Sequence, residues 1–177
     1  MFKLKICLTI LLMFFSLDSI ASEEELEWSL KFGGWSKHSE EKNMANRDWN
    51  ENHMGIGLKR IFIDNERSDL FIEGFYMKDS YNLNSGYLGG GVEHTIPFET
   101  EYLKIKVNAM FGILQRSLHN YYEETDTLES HSEIKPSFMY YLTFEIKDKY
   151  EIDFTYIPKG TALIENEVFF FRLGYRF

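Results

Sequence analysis

Cysteine, proline and long apolar runs are all scarce in this chain. One cysteine and three prolines occur in 177 residues. The longest apolar run, Ile6 to Phe15, falls short of the ~20 residues a membrane-spanning helix needs, so no helical anchor is expected. Lys3 and Lys5 precede that run, and Ser19-Ile20-Ala21 offers small residues at a cleavage site. Residues 1–21 therefore read as a secretory signal peptide and 22–177 as one mature domain. Cys7 lies inside the leader, which leaves the mature chain without a thiol. An exported protein with no disulfide must be braced otherwise, and a closed hydrogen-bonded barrel does this. Three prolines are few enough for an almost unbroken sheet. Basic charge is short too: 19 Lys and Arg stand against 28 Asp and Glu, a formal net charge of −9. That balance excludes nucleic acid as a partner. No His, Cys and carboxylate cluster has ligand spacing, so neither metal nor other cofactor is expected. Glu123-Glu124 with Asp126 reads as a solvated acidic tip.

Aromatics, in contrast, make up 17% of the chain. From Glu167 onward Phe169, Phe171, Leu173, Tyr175 and Phe177 alternate with Val168, Phe170, Arg172, Gly174 and Arg176. Period-two alternation puts the first set on one face of a strand. A transmembrane barrel strand turns such a face to lipid and keeps polar groups in the lumen. The closing aromatic is similar to the C-terminal strand by which the barrel assembly machinery recognises outer-membrane barrels. Mean hydropathy of −0.32 is no objection, because only alternate residues of a small barrel face lipid.

Eight strands are predicted, at roughly 27–38, 54–64, 69–79, 85–95, 101–115, 135–146, 149–158 and 167–177. Short connections at 65–67, 97–99 and 147–148 alternate with longer polar ones at 39–53, 116–134 and 159–166. This is the arrangement of an all-β, eight-stranded, antiparallel up-and-down transmembrane barrel, a monomer in the cell outer membrane. Lipid faces follow from parity: Leu103, Ile105, Val107, Ala109, Phe111 and Ile113; Phe138, Tyr140, Leu142, Phe144 and Ile146; Tyr150, Ile152, Phe154 and Tyr156. In the second strand Ile56 and Leu58 conflict in parity with Ile61 and Ile63, which a bulge near Lys59-Arg60 would reconcile.

The inward faces divide into two storeys. The lower holds Lys31, Glu73, Glu93, Lys104, Lys106, Glu145, Glu151, Asp153, Arg172 and Arg176, a mixed-charge plug whose members must pair. The upper holds Trp35, Phe75, Met77, Tyr87, Met110, Leu114, Met139, Tyr141, Ile157, Val168 and Phe170. That apolar storey is either a filled core without a pore or a pocket for a hydrocarbon chain open to the outer leaflet.

Several segments resemble the PagP family of outer-membrane lipid A palmitoyltransferases. Lys78-Asp79-Ser80-Tyr81 matches its Lys-Asp-Ser-aromatic motif. Asn50-Glu51 with Gly55-Ile56-Gly57-Leu58, the run Gly89-Gly90-Gly91-Val92-Glu93, Thr155-Tyr156-Ile157-Pro158 and the aromatic last strand match further stretches. The resemblance implies Asp79, Ser80 and a histidine at the outer end of the first strand as catalytic residues. His38 is the nearer candidate for that histidine and His53 the competitor. It also implies an acyl pocket, to which Met77, Tyr87, Gly91, Met110, Met139 and Phe170 belong, with Gly91 at its floor. The implied partners are a phospholipid donor, a lipid A acceptor and the outer-membrane bilayer. Departures exist: Asn52-His53 replaces a proline that helps open the barrel wall, and about six residues replace an N-terminal amphipathic helix.

Acyl transfer needs an activated hydroxyl, a base and oxyanion stabilisation. Ser80 would attack the donor ester or orient the acceptor hydroxyl, His38 would be the base, and Asp79 would favour the imidazolium. The rivals are a non-enzymatic structural or adhesion barrel working through its outer loops, and a lipid A deacylase. The deacylase type carries Ser and His on late strands; strands six and seven here offer Ser137 and Thr155 but no His.

Overall fold

Strict alternation and sparse proline produce eight antiparallel strands that close on themselves in chain order. The structure is a computed structural model and describes residues 27–43, 45–64, 67–98, 100–159 and 166–177. The expected signal peptide lies outside the described residues. The strands are β1 Trp28–His38, β2 Asn52–Asp64, β3 Ser68–Lys78, β4 Asn84–Thr95, β5 Leu103–Tyr122, β6 Thr127–Ile146, β7 Tyr150–Ile157 and β8 Val168–Arg176. β8 pairs back onto β1 from Ser29↔Arg176 to His38↔Val168, so closure leaves neither of these strands as a free edge.

Outside, Phe32, Ile56, Leu70, Phe111, Phe138 and Phe171 are among a belt of exposed apolar side chains. The late strands pair as their lipid faces require, Leu142↔Phe154, Phe144↔Ile152 and Ile146↔Tyr150. Inside, Lys31, Lys59, Lys106, Arg172 and Arg176 meet Glu73, Glu93, Glu145, Glu151 and Asp153. The Lys31 ammonium is 2.8 Å from both Glu151 and Asp153, and Lys106 is 2.8 Å from Glu93 and 2.9 Å from Glu145. Mutual neutralisation is what makes so many ions tolerable in a dry interior. Lys104 differs: it stands at the rim, part-exposed, on Asp148. Beside the buried ions, Ile61, Phe71, Tyr87, Met110 and Tyr141 pack as an apolar interior layer.

Three expectations need correction. The connection expected over 116–134 is mostly a β-ribbon, since β5 and β6 stay paired to Tyr122↔Thr127 and turn through residues 123–125. Polar residues such as Ser117, Asn120, Glu129 and Ser132 interrupt its apolar positions, so it carries no regular amphipathic signal. The β2 bulge falls between Ile61 and Ile63 instead of at Lys59-Arg60, and Ile61 is buried in the interior layer. Trp35 does not face inward: its ring stacks on lipid-facing Phe171 with centroids 5.3 Å apart. Gly33 and Gly34 adopt φ of 83° and 107°, and the β1 register shifts there. This step reverses the parity of the rest of β1.

Candidate active site at the outer rim

The parity reversal turns Ser36 and His38 into the barrel mouth, where both are buried. His38 is the last residue of β1. Its neighbour Lys37 is 76% exposed and ion-paired with Glu51, which marks the end of the apolar belt below it. Ser80 follows β3 in a tight turn. Asp79 shapes that turn: its Oδ1 accepts the N–H groups of Tyr81 and Leu83 at 2.9 and 2.8 Å, an Asx arrangement.

Loop 39–51 brings the two ends together. Asn50 donates its backbone N–H to the Ser80 carbonyl and its side-chain amide to the Asp79 carbonyl, each at 2.9 Å. Trp49 lies flat on His38, with centroids 4.2 Å apart and planes 3° apart, and meets the edge of Tyr81. Under this cover His38 Nε2 lies 3.0 Å from Ser80 Oγ. Burial pushes the imidazole down to about 4, against the opposing pull of Glu51. His38 is thus neutral at ordinary pH and available as a base.

Asp79 does not occupy the position expected of it. The carboxylate facing the far side of the imidazole belongs to Glu51, 4.0 Å from His38 Nδ1. His53, the competing histidine, is held elsewhere, with Nδ1 2.7 Å from the Lys78 carbonyl and Nε2 2.8 Å from Ser36 Oγ. Glu51, Trp49 and Ser36 were not singled out as site residues from sequence. The Gly33-Gly34 pair inside a strand was the available signal for the last, because paired glycines there commonly mark a bulge.

A cavity of about 630 Å³ opens beneath the pair. His38, Asp79 and Ser80 line its mouth, and Met77, Tyr87, Met139 and Phe170 line its wall with Phe75, Leu114 and Ile157. Its lower end reaches Tyr141, Glu73, Asp153 and Arg172. Arg172 there packs on Phe75 and Tyr141, 4.8 and 5.2 Å from their ring centroids. The interior is therefore a pocket above a plug and not a filled core.

Two expected pocket residues are not in the lining. Met110 is buried in the interior layer, and Gly91 pairs with it across the β4–β5 ladder. A Cβ on Gly91 would collide with the Ala109 carbonyl and lie 2.7 Å from Met110 Cβ. That glycine serves close strand approach, and the lower end of the cavity is formed by other residues, Tyr141 among them.

The cavity also reaches the lipid face. Among the described residues the β6–β7 ladder stops at Leu142↔Phe154, although β7 continues pairing with β8 to Ile157↔Val168. Above that point hydroxyls span the seam: Thr155 Oγ1 donates to the Tyr140 carbonyl at 3.3 Å, and Tyr140 OH to the Tyr156 carbonyl at 3.2 Å. Phe138 and Tyr140, both exposed to the outside, join Tyr156 and Pro158 in the cavity lining. The cavity wall at β6–β7 thus includes side chains that also face the outside.

A closed eight-stranded barrel with an apolar outer belt and a charged interior is an outer-membrane β-barrel, and the outer membrane is where this chain resides. No family model and no curated protein matches the sequence. Solved structures that resemble it are small outer-membrane barrels of different sequence. The N-terminal barrel domain of Pseudomonas aeruginosa OprF is 11% identical, with 87% of this chain and 98% of that one covered at a TM-score of 0.48. Neisserial surface protein A is 9% identical, with 85% and 94% covered at 0.47. The attachment invasion locus protein Ail of Yersinia pestis is 18% identical, with 88% and 100% covered at 0.45.

Proposed function

We propose that this barrel is an acyltransferase that moves a palmitoyl-type chain from a phospholipid to lipid A. The observation that carries the reading is the contact of His38 Nε2 with Ser80 Oγ at the mouth of a cavity walled by Met and aromatic side chains. A neutral imidazole against a hydroxyl is the pairing that acyl transfer requires, and the cavity volume falls within the ~300–1,000 Å³ of small-molecule sites. The donor enters along the β6–β7 seam with its chain in the cavity and its ester at the rim. His38 supplies the basic nitrogen there. Ser80 supplies the hydroxyl that takes up or orients the reacting oxygen, and Trp49 excludes water.

The test uses protein folded in detergent with phosphatidylcholine labelled in both palmitoyl chains and with lipid A. Label should move to lipid A and be lost in Ser80→Ala. Label that stays on the donor, with the barrel folded, removes the reading.

A second reading is a non-enzymatic barrel acting through its outer surface. The β5–β6 ribbon favours it, since that pairing runs on to Tyr122↔Thr127 and carries many polar side chains.

A further inference from the structure

The cavity holds a second hydroxyl–imidazole pair that the reaction above leaves unused. Ser36 on β1 and His53 on β2 are 6% and 2% exposed, and both line the cavity. A carbonyl can only accept a hydrogen bond, so the 2.7 Å contact with Lys78 O fixes the proton on His53 Nδ1. In the neutral ring Nε2 is then the acceptor, and Ser36 donates its hydroxyl proton to it across 2.8 Å. A hydroxyl on a base, with the base oriented by a third group, is the arrangement of an activated nucleophile. The Ser80–His38 pair is less complete. Its third group, Glu51, stands 4.0 Å away, and His38 Nδ1 has no hydrogen-bond partner.

The backbone is built around the Ser36 pair. A Cβ on Gly34 would press on His53 Cβ at 3.3 Å and on the Phe170 ring at 3.4 Å. Met54, directly after His53, holds a φ of 45°, a conformation that costs energy for a residue with a side chain.

We infer that Ser36 is an acyl-accepting nucleophile with His53 as its base, so that transfer runs through an acyl-enzyme. This rests on the acyl-transfer reading above. In the first step Ser36 Oγ bonds to the donor ester carbon and its proton passes to His53 Nε2. The ester C–O bond breaks, the departing glycerol oxygen takes that proton, and lysophospholipid leaves. In the second step the acceptor hydroxyl gives its proton to His53 as it attacks the Ser36 ester. The Oγ–C bond breaks, and His53 returns the proton to Ser36. Ser80 and His38 then orient the acceptor hydroxyl instead of attacking the donor.

Full-length protein folded in detergent is treated with an alkyl fluorophosphonate, from which a nucleophilic Oγ displaces fluoride, and the adduct is mapped by peptide mass. The expected adduct is on Ser36 in the unaltered protein and in Ser80→Ala. It should fall at least tenfold in His53→Gln and vanish in Ser36→Ala, with the heat-shifted gel band retained. An adduct confined to Ser80, or none on protein that still acylates lipid A, overturns the inference and leaves acyl transfer standing. Absence of both adduct and transfer overturns the two together.

Discussion

His38 ends β1 and Ser80 follows β3, yet 3.0 Å separates the imidazole Nε2 from the hydroxyl oxygen. One intervening strand would hold their backbones roughly 10 Å apart at ~4.8 Å per strand. The gap closes because the side chains lean together over the start of β2 while Asn50 ties loop 39–51 to the Ser80 turn. Replacing either partner with alanine should lower acyl transfer by about 10²-fold or more, the size expected of a positioned proton-transfer group. Heat-modifiable migration on gels should be unchanged, since neither residue belongs to the plug. Trp49→Ala should also reduce transfer by uncovering His38.

Asp79 and Glu51 should respond differently to neutral amide substitution. Asn at position 79 can still accept the N–H groups of Tyr81 and Leu83, so Asp79→Asn should keep most activity while Asp79→Ala loses it. Glu51→Gln removes the carboxylate beside His38 and should slow transfer in fully folded protein. Initial rates on the three variants check this, and an inactive, folded Asp79→Asn would restore a charge role to Asp79.

Where His38 is the base of the rate-limiting step, its lowered pKa sets the shape of the pH profile. Its neutral form dominates above about 4, whereas an unperturbed histidine loses that form below about 6.5. Transfer rates should therefore stay level from pH 8 to about 5.5 and fall only as pH drops toward 4. A falling limb centred near 6.5 would show that the imidazole is solvated in the working enzyme.

Gly33 is a stability and parity determinant. Its φ of 83° disfavours any side chain, and a Cβ there would collide with the Trp35 ring. Gly33→Ala should destabilise the barrel by about 1–2 kcal/mol, from the cost of the left-handed conformation for a residue with a side chain. Urea titration of lipid-folded protein reads this shift. Activity of the folded fraction should also fall, because the same glycine pair turns Ser36 and His38 inward.

Chain-length selection should map to the cavity wall and not to Gly91. Met139→Trp fills the lined volume and should shorten the accepted acyl chain, each excluded methylene being worth about 0.8 kcal/mol. Gly91→Ala meets the Ala109 carbonyl and should lower the yield of folded barrel without changing chain preference. Competition between donors of different chain length distinguishes the two.

The barrel was legible because its signal is periodic. Phe169, Phe171, Tyr175 and Phe177 alternate without interruption, as do the charges of the plug, and period two is all that strand identity and facing require. What parity cannot show is where parity breaks. Gly33 and Gly34 invert the upper half of β1, so Trp35 faces lipid and Ser36, expected outward, faces in. The β5–β6 ribbon was hidden for a different reason, since its scattered apolar residues give no regular alternation to read. Asp79 and Ser80 came from a motif and His38 from its place at the end of the first strand, and all three line one cavity mouth. Trp49 and Glu51 belong to a loop whose fold depends on contacts with distant turns, which sequence spacing does not encode.

The most direct test of acyl transfer is a mass spectrum of lipid A from a Gram-negative host with and without expression of this protein, and with its Ser80→Ala variant at equal barrel abundance. Acyl transfer predicts a lipid A species heavier by one acyl chain that appears with the unaltered protein and is absent with the variant. Lipid A lighter by one chain would show a deacylase instead. An unchanged spectrum beside abundant folded barrel would contradict acyl transfer and leave the non-enzymatic reading in its place.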